Sequence, residues 1–131
     1  MSMENTALPQ LTQGELEVMD ILWSMNHDLT RTEILPLVEE KFHRNWKIQT
    51  LSTYLAHLVE KGVLKYYRKG VYFYYQVLIP KKEYKALETK RFLKFWYNNS
   101  IDELIMGLTD EKVLSEEDTK IIEGLIDELD N

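Results

Sequence analysis

Residues 48–62, IQTLSTYLAHLVEKG, are the stretch on which the fold turns. The apolar residues Leu51, Leu55, Leu58 and Val59 stand at i, i+4, i+7 and i+8, one stripe of a helical repeat. The remaining side holds Gln49, Thr50, Ser52, Thr53, Ala56 and His57, small and mostly polar, with no acid among them. Lys61 and Gly62 then give a cationic last turn and a residue suited to the left-handed conformation that ends helices. A helix anchored on one side and acid-free on the other fits a DNA major groove, which excludes bulk and negative charge. Taken alone, the pattern describes an ordinary surface helix first; the flanking sequence shifts the balance.

Upstream, LTQGEL (residues 11–16) sets Thr12 and Glu15 at capping-box spacing, with Leu11 and Leu16 placed as a hydrophobic staple. A first helix is expected through Met19, Ile21, Leu22 and Trp23 to about Ser24. Asn26-His27-Asp28 reads as a turn, and the start device recurs with Thr30 as cap, Glu33, and a staple from Leu29 to Ile34. The second helix should reach about Phe42 and bury Ile34, Leu37, Val38 and Phe42. Pro36 lies inside it and has no backbone donor, so a kink or a delayed start is expected. Residues 43–45 connect it to the opening stretch, with Trp46 packed at the junction. Residues 1–10 show no periodicity and read as a mobile arm.

Downstream the period changes. Residues 63–68 and 71–77 are rich in β-branched and aromatic side chains, with Lys69-Gly70 between them. This reads as a tight β-hairpin with a basic tip (Lys65, Arg68, Lys69) and an aromatic ladder (Tyr66, Tyr67, Tyr72, Phe73, Tyr74, Tyr75). The ladder reads as hairpin packing over the helices; a stacking surface for single strands is the other reading. Three helices followed by a two-stranded hairpin is the order of a winged helix-turn-helix domain, whose third helix enters the groove while the wing tip reaches the backbone. The fold class is therefore mainly α with a small antiparallel β-hairpin. Residues 1–79 form the winged-helix DNA-binding domain and residues 80–131 a helical dimerisation region.

That second region opens at Pro80 with a helix to about Asn98, cationic through Lys81, Lys82, Lys85, Lys90, Arg91 and Lys94. Its aromatic end (Phe92, Phe95, Trp96, Tyr97) reads as core packing ahead of a ligand pocket. Asn98-Asn99 breaks it, and Ser100 with Glu103 caps a fifth helix carrying Ile101, Leu104, Ile105 and Leu108 on one face. Ser115 with Asp118 starts a sixth, with Ile121, Ile122, Leu125, Ile126 and Leu129. Two short helices with such apolar faces lack enough neighbours to bury them. A second copy of the chain would cover them in a two-fold, self-complementary interface; docking back onto the winged domain is the alternative.

The 131 residues, 44% hydrophobic and 29% charged, suit one soluble domain with an appendage. No apolar run approaches the ~20 residues that cross a bilayer, and no signal segment opens the chain. With no cysteine, disulfides and thiolate metal sites are excluded, and a cytoplasmic protein is expected. The net charge of −6 conceals segregation: −7 over residues 1–40, +10 over 41–94 and −9 over 95–131. Such a distribution points to a basic surface facing a polyanion, with chance clustering on a solvated face as the bland reading.

These features single out Gln49, Thr50, Ser52, Thr53 and His57 for base edges, and Arg44, Lys47, Lys65, Arg68 and Lys69 for the DNA backbone. Gln49 is the side chain there able to form a bidentate contact with adenine. An enzyme fares worst. His27, His43 and His57 show no H-E-x-x-H spacing, no phosphate-binding glycine loop exists, and Ser, His and acid residues form no recognisable constellation. No catalytic residue, metal or cofactor is expected. A winged helix used for protein contact, its basic face on an acidic partner, is the competing class.

ELEVMDILW (residues 15–23), the spaced set Trp46, Thr50, Leu51, Thr53, Leu58, Lys61 and Gly62, and the Tyr74-Tyr75 close of the hairpin resemble the penicillinase-repressor family, the BlaI/MecI/CopY type. The likeness runs from about Leu8 to the acidic last helix. It implies a cytoplasmic bacterial homodimeric repressor with a winged helix on a palindromic operator and a helical C-terminal region for dimerisation. An upstream sensor or protease is a further implied partner, and no membrane is. In the β-lactam branch a protease cuts an Asn-Phe bond in the fifth helix, where this chain has Gly107-Leu108. The copper-responsive branch carries a C-terminal cysteine cluster, which is absent here. Ser52 and His57 replace the Arg or Lys that relatives often carry, so operator preference should differ.

Overall fold

The computed structural model describes residues 8–130, which form two compact units divided between Lys85 and Ala86. The first contains α1 (Gln13–Ser24), β1 (Leu29–Thr30), α2 (Arg31–Phe42), α3 (Ile48–Glu60), β2 (Leu64–Lys69) and β3 (Tyr72–Val77). Helix α4 (Lys81–Tyr97) starts in this unit and ends in the second, which also holds α5 (Ile101–Asp110) and α6 (Glu116–Asp130).

Local chemistry accounts for the helix starts. The Thr12 hydroxyl accepts from Glu15 N at 3.3 Å while Glu15 Oε1 accepts from Thr12 N at 2.8 Å. Thr30 and Glu33 repeat both distances at the start of α2. Each such cap stabilises its helix by about 0.5–2 kcal/mol. The core then forms where the three apolar stripes meet. Val18, Met19, Ile21 and Leu22 of α1, Ile34 and Val38 of α2, and Leu51, Leu55 and Leu58 of α3 are buried together, closed by Leu29, Val63 and Leu64. Each fully buried aliphatic side chain contributes about 1.5–3 kcal/mol, which holds α3 with one face in and one face out. A close crossing supports it: a Cβ on Gly14 would lie 2.4 Å from Tyr54 Cζ, and that ring packs on Trp46 at 4.9 Å.

Three sequence-based expectations are corrected. The hairpin belongs to a three-stranded sheet in the order β1-β3-β2, with Leu29 opposite Tyr75 and Thr30 opposite Tyr74. Two residues are too few for alternation to show, and these two also start α2. The turn is Gly70-Val71, because Lys69 already pairs with Tyr72. Gly70 takes a left-handed φ of +67°, which a two-residue hairpin turn with glycine first requires. Finally, α2 begins at Arg31 with Pro36 exposed inside it, so of the kink or delayed start expected there it is the delayed start that the structure overturns. Of the stretch read as an arm, residues 1–7 lie outside the described residues, while the carbonyls of Pro9 and Gln10 accept from Tyr84 and Lys61.

In the second unit, α4 ends where Asn98 and Asn99 adopt left-handed φ values of 50° and 65°. Asparagine tolerates that region better than most residues. Ser100 caps α5 by accepting from Glu103 N, and Ser115 caps α6 by accepting from Asp118 N, both at 3.1 Å.

Candidate nucleic-acid interface

Helix α3 presents a graded face. Gln49, Thr50, Thr53, Ala56 and His57 are exposed, and Ser52 is half-buried on the flank towards α2. Thr53 Oγ1 donates to Gln49 O at 3.0 Å, and Ser52 Oγ donates to Ile48 O at 2.9 Å. With their protons directed inward, both hydroxyls keep acceptor lone pairs for an outside group. Lys47 stands at the N-cap and no acid occupies the first turn. The acid-free surface ends at Glu60, which is exposed at the far end of the helix.

Eight of the thirteen cations of residues 41–94 separate into two sets. The first neutralises α1. Lys41 and Lys81 both pair with Asp20, Arg44 with Glu17, and Lys61 with Glu15. Glu17 is 4% exposed and accepts from Arg44 Nε and Nη2, both at 2.7 Å, so Arg44 is held as a clamp between the α2–α3 connector and α1. The Arg44 bond outweighs burial and holds the Glu17 carboxyl below its usual range; reciprocally, Glu17 raises the Arg44 guanidinium. Burial pushes the Glu15 carboxyl up, but the Lys61 and Thr12 hydrogen bonds together overcome it and the net shift is down. The second set, Lys47, Lys65, Arg68 and Lys69, is exposed and pairs with no acid among the described residues. Arg68 Nε donates to Gly70 O at 3.0 Å, which stiffens the wing tip. The structure thus sets Arg44 apart from the other four residues read as backbone contacts.

The wing ladder is mostly outside. Tyr67 stacks on Tyr74 with centroids 5.7 Å apart, and Tyr66 lies edge-on to Phe73 at 5.7 Å. Tyr66, Tyr67, Tyr72 and Phe73 are exposed, and only Tyr75 packs on the helical core, where burial raises its hydroxyl pKa. Tyr67 OH donates to Asp28 Oδ2 at 2.6 Å, which ties the wing to the α1–β1 loop and raises the phenol pKa. Sequence reasoning missed Arg31. Its Nη1 donates to Ser52 Oγ at 2.8 Å, and no local pattern could have announced a contact across 21 positions.

In the second unit, Ile101, Ile121, Leu125 and Leu129 are exposed, and Leu104, Ile105, Leu108 and Ile122 are half-buried; no residue of α5 is buried. Phe95 and Trp96 pack edge to face at 4.9 Å yet stay exposed, so the aromatic end of α4 does not form the core expected of it. Among the described residues, no cluster of His, Asp and Glu could hold a metal, and no helix is long and apolar enough to cross a membrane.

Residues 11–128 match the family model for penicillinase repressors. The chain belongs to the penicillinase repressor family. That family consists of transcriptional regulators, not enzymes. The chain is 27% identical over 124 residues to the penicillinase repressor of Bacillus licheniformis, covering 95% of this chain and 94% of that protein. It is 29% identical over 123 residues to an uncharacterized 16.5 kDa protein in the ptsI 3' region of Latilactobacillus sakei, covering 94% and 81%. The solution structure of the DNA-binding domain of the repressor BlaI is similar with a TM-score of 0.51 and 28% identity, over 59% of this chain and 90% of that one. In this penicillinase-repressor chain the N-terminal part carries the likeness to that solved domain, and the C-terminal helices lie beyond it. Gly107 and Leu108 lie within α5, both half-buried, and a Cβ at Gly107 would rest 3.5 Å from the Tyr97 ring.

Proposed function

We propose that the chain is a cytoplasmic, homodimeric repressor that occupies a palindromic DNA operator through α3 and the wing tip. One observation carries the reading: the acid-free polar face of α3 is accompanied by four acid-free cations, Lys47, Lys65, Arg68 and Lys69, while the other cations near α1 are bound to its acids. Gln49, Thr50, Thr53 and His57 face base edges, at about 1–3 kcal/mol for a bidentate pair and less for a single hydroxyl, while Ser52, half-buried on the flank of that face, accepts from Arg31. The cations release counterions from the phosphates and supply salt-sensitive affinity. The unburied stripes of α5 and α6, Ile101, Leu104, Ile105 and Leu108 with Ile121, Ile122, Leu125 and Leu129, meet their counterparts on a second copy. Half-sites then recur about one helical turn apart or a multiple of it. Residues 1–79 serve as the DNA-binding domain and 80–131 as the dimerisation region.

Selection of bound duplexes from a random pool, with sedimentation of the purified chain, tests both parts. A recovered palindrome and a two-chain species are the expected results. A monodisperse single chain that ignores duplex at low ionic strength sinks the proposal and leaves a protein-contact role for the winged helix.

A further inference from the structure

Arg31 is the one cation in the first forty residues, and it stands in a different setting from the cations beside α1. It is the first residue of α2 and is exposed, and its Nη1 donates to Ser52 Oγ at 2.8 Å. Ser52 is itself aimed, since its proton goes to Ile48 O and leaves its lone pairs for the guanidinium. Among the described residues no carboxylate pairs with Arg31, whereas Lys41, Arg44, Lys61 and Lys81 each face an acid of α1. Beyond Arg31 opens a cleft of about 270 Å³ between Thr30 and Thr32 on one side and Tyr72 and Phe73 of the wing on the other. A guanidinium has five donors, and the serine uses one. The others are left beside this cleft between the start of α2 and the wing.

We propose that Arg31 is a DNA phosphate contact, held in position by Ser52, at the edge of the groove that α3 enters. This rests on the DNA-binding reading above. The rotational position of Ser52 argues for phosphate over base. Successive helical residues are about 100° apart, so Ser52 lies a quarter-turn from outward-facing Thr53 and another from buried Leu51. A side chain meeting α3 on that flank reaches the rim of the groove, where the backbone runs, and not its floor. Arginine suits the task because its planar fork binds two phosphate oxygens at once, which an ammonium cannot do. Ser52 is a positioning residue in this account, because it fixes the fork before DNA arrives.

The test measures affinity of the full-length chain for a random-sequence duplex across a salt series, using wild type, Arg31→Ala, Arg31→Lys, Ser52→Ala and the Arg31→Ala/Ser52→Ala pair. Arg31→Ala is expected to weaken binding roughly ten-fold or more, as for a charge-assisted bond, and to lower the salt slope by about one. Arg31→Lys should keep the slope and lose part of the affinity. The Ser52→Ala loss should vanish when Arg31 is already absent. Unchanged melting of Arg31→Ala, expected for an exposed side chain, separates binding from folding; if it unfolds, Arg31→Gln takes its place. Wild type that ignores every duplex overturns the DNA reading itself. Wild type that binds, with an Arg31→Ala variant of equal affinity and slope, overturns this inference alone. A changed preference at one base pair with an unaltered slope also overturns it, because Arg31 would then read a base.

Discussion

Replacing Lys61 with Met should destabilise the winged unit through a residue forty-six positions away. Glu15 is 1% exposed, and its Oε1 accepts from Lys61 Nζ at 2.6 Å and from Thr12 N at 2.8 Å. Met preserves the stem and removes the ammonium, leaving a buried carboxylate with a backbone donor and the His57 ring, whose Nδ1 lies 3.5 Å from Oε2. Breaking a buried pair from one side costs about 3–5 kcal/mol. The Lys61 side chain is 29% exposed, so water and the capping bond recover part of this, and about 2–3 kcal/mol is expected. Urea unfolding of the full chain at fixed concentration, followed by tryptophan emission, reads it as a midpoint lower by roughly 1–2 M. Glu15→Gln keeps an acceptor for Thr12 N without the charge, so the Glu15→Gln/Lys61→Met pair should regain much of the loss. The pH dependence carries a sign. In wild type the Glu15 carboxyl is depressed, so its contribution is present above the unfolded pKa and is lost as pH falls through the lower folded one. Lys61→Met removes the Lys61 hydrogen bond and charge that lower the Glu15 carboxyl, so the variant's folded pKa lies above that of wild type and acidification narrows the gap between them. A Lys61→Met midpoint within 0.3 M of wild type at neutral pH (on the order of 0.5 kcal/mol by the same slope), or a gap that widens in acid, would refute the reasoning.

Gly14→Ala should cost about 1–3 kcal/mol through overpacking, because the Tyr54 ring at 2.4 Å must shift; a change in Trp46 emission reports it. Gly62→Ala should cost about 1–2 kcal/mol from the left-handed φ of +80° alone, since nothing lies within 4 Å, and Gly62→Asn should cost less in the same urea assay. Exchanging Arg68 and Lys69 for Ala should weaken binding to every duplex and flatten the salt slope by about two; equal affinity in a mobility shift would remove the wing from the mechanism. Leu125→Asp, at an exposed apolar position of α6, should turn a two-chain species into a single chain in sedimentation while the winged unit keeps its melting transition. A dimer that persists would place the interface elsewhere.

Most of the elements were legible because their causes are local. Thr12 with Glu15, Thr30 with Glu33, and the caps at Ser100 and Ser115 act over three residues. The stripe of Leu51, Leu55 and Leu58 declares the buried side of α3 within three turns, and with it the face left for a ligand. The charge segregation was also visible, though not its allocation. Only the tertiary structure decided that Arg44 and Lys61 serve acids of α1 and that Arg31 reaches Ser52. It alone showed that Leu29 and Thr30 add a strand beside Tyr75 and Tyr74. Each of those pairings spans 21 residues or more, and an ion pair or a ladder bond depends on which backbones the core brings within about 3 Å. Periodicity determines which side of a helix is buried; it carries no information about which distant residue will stand opposite.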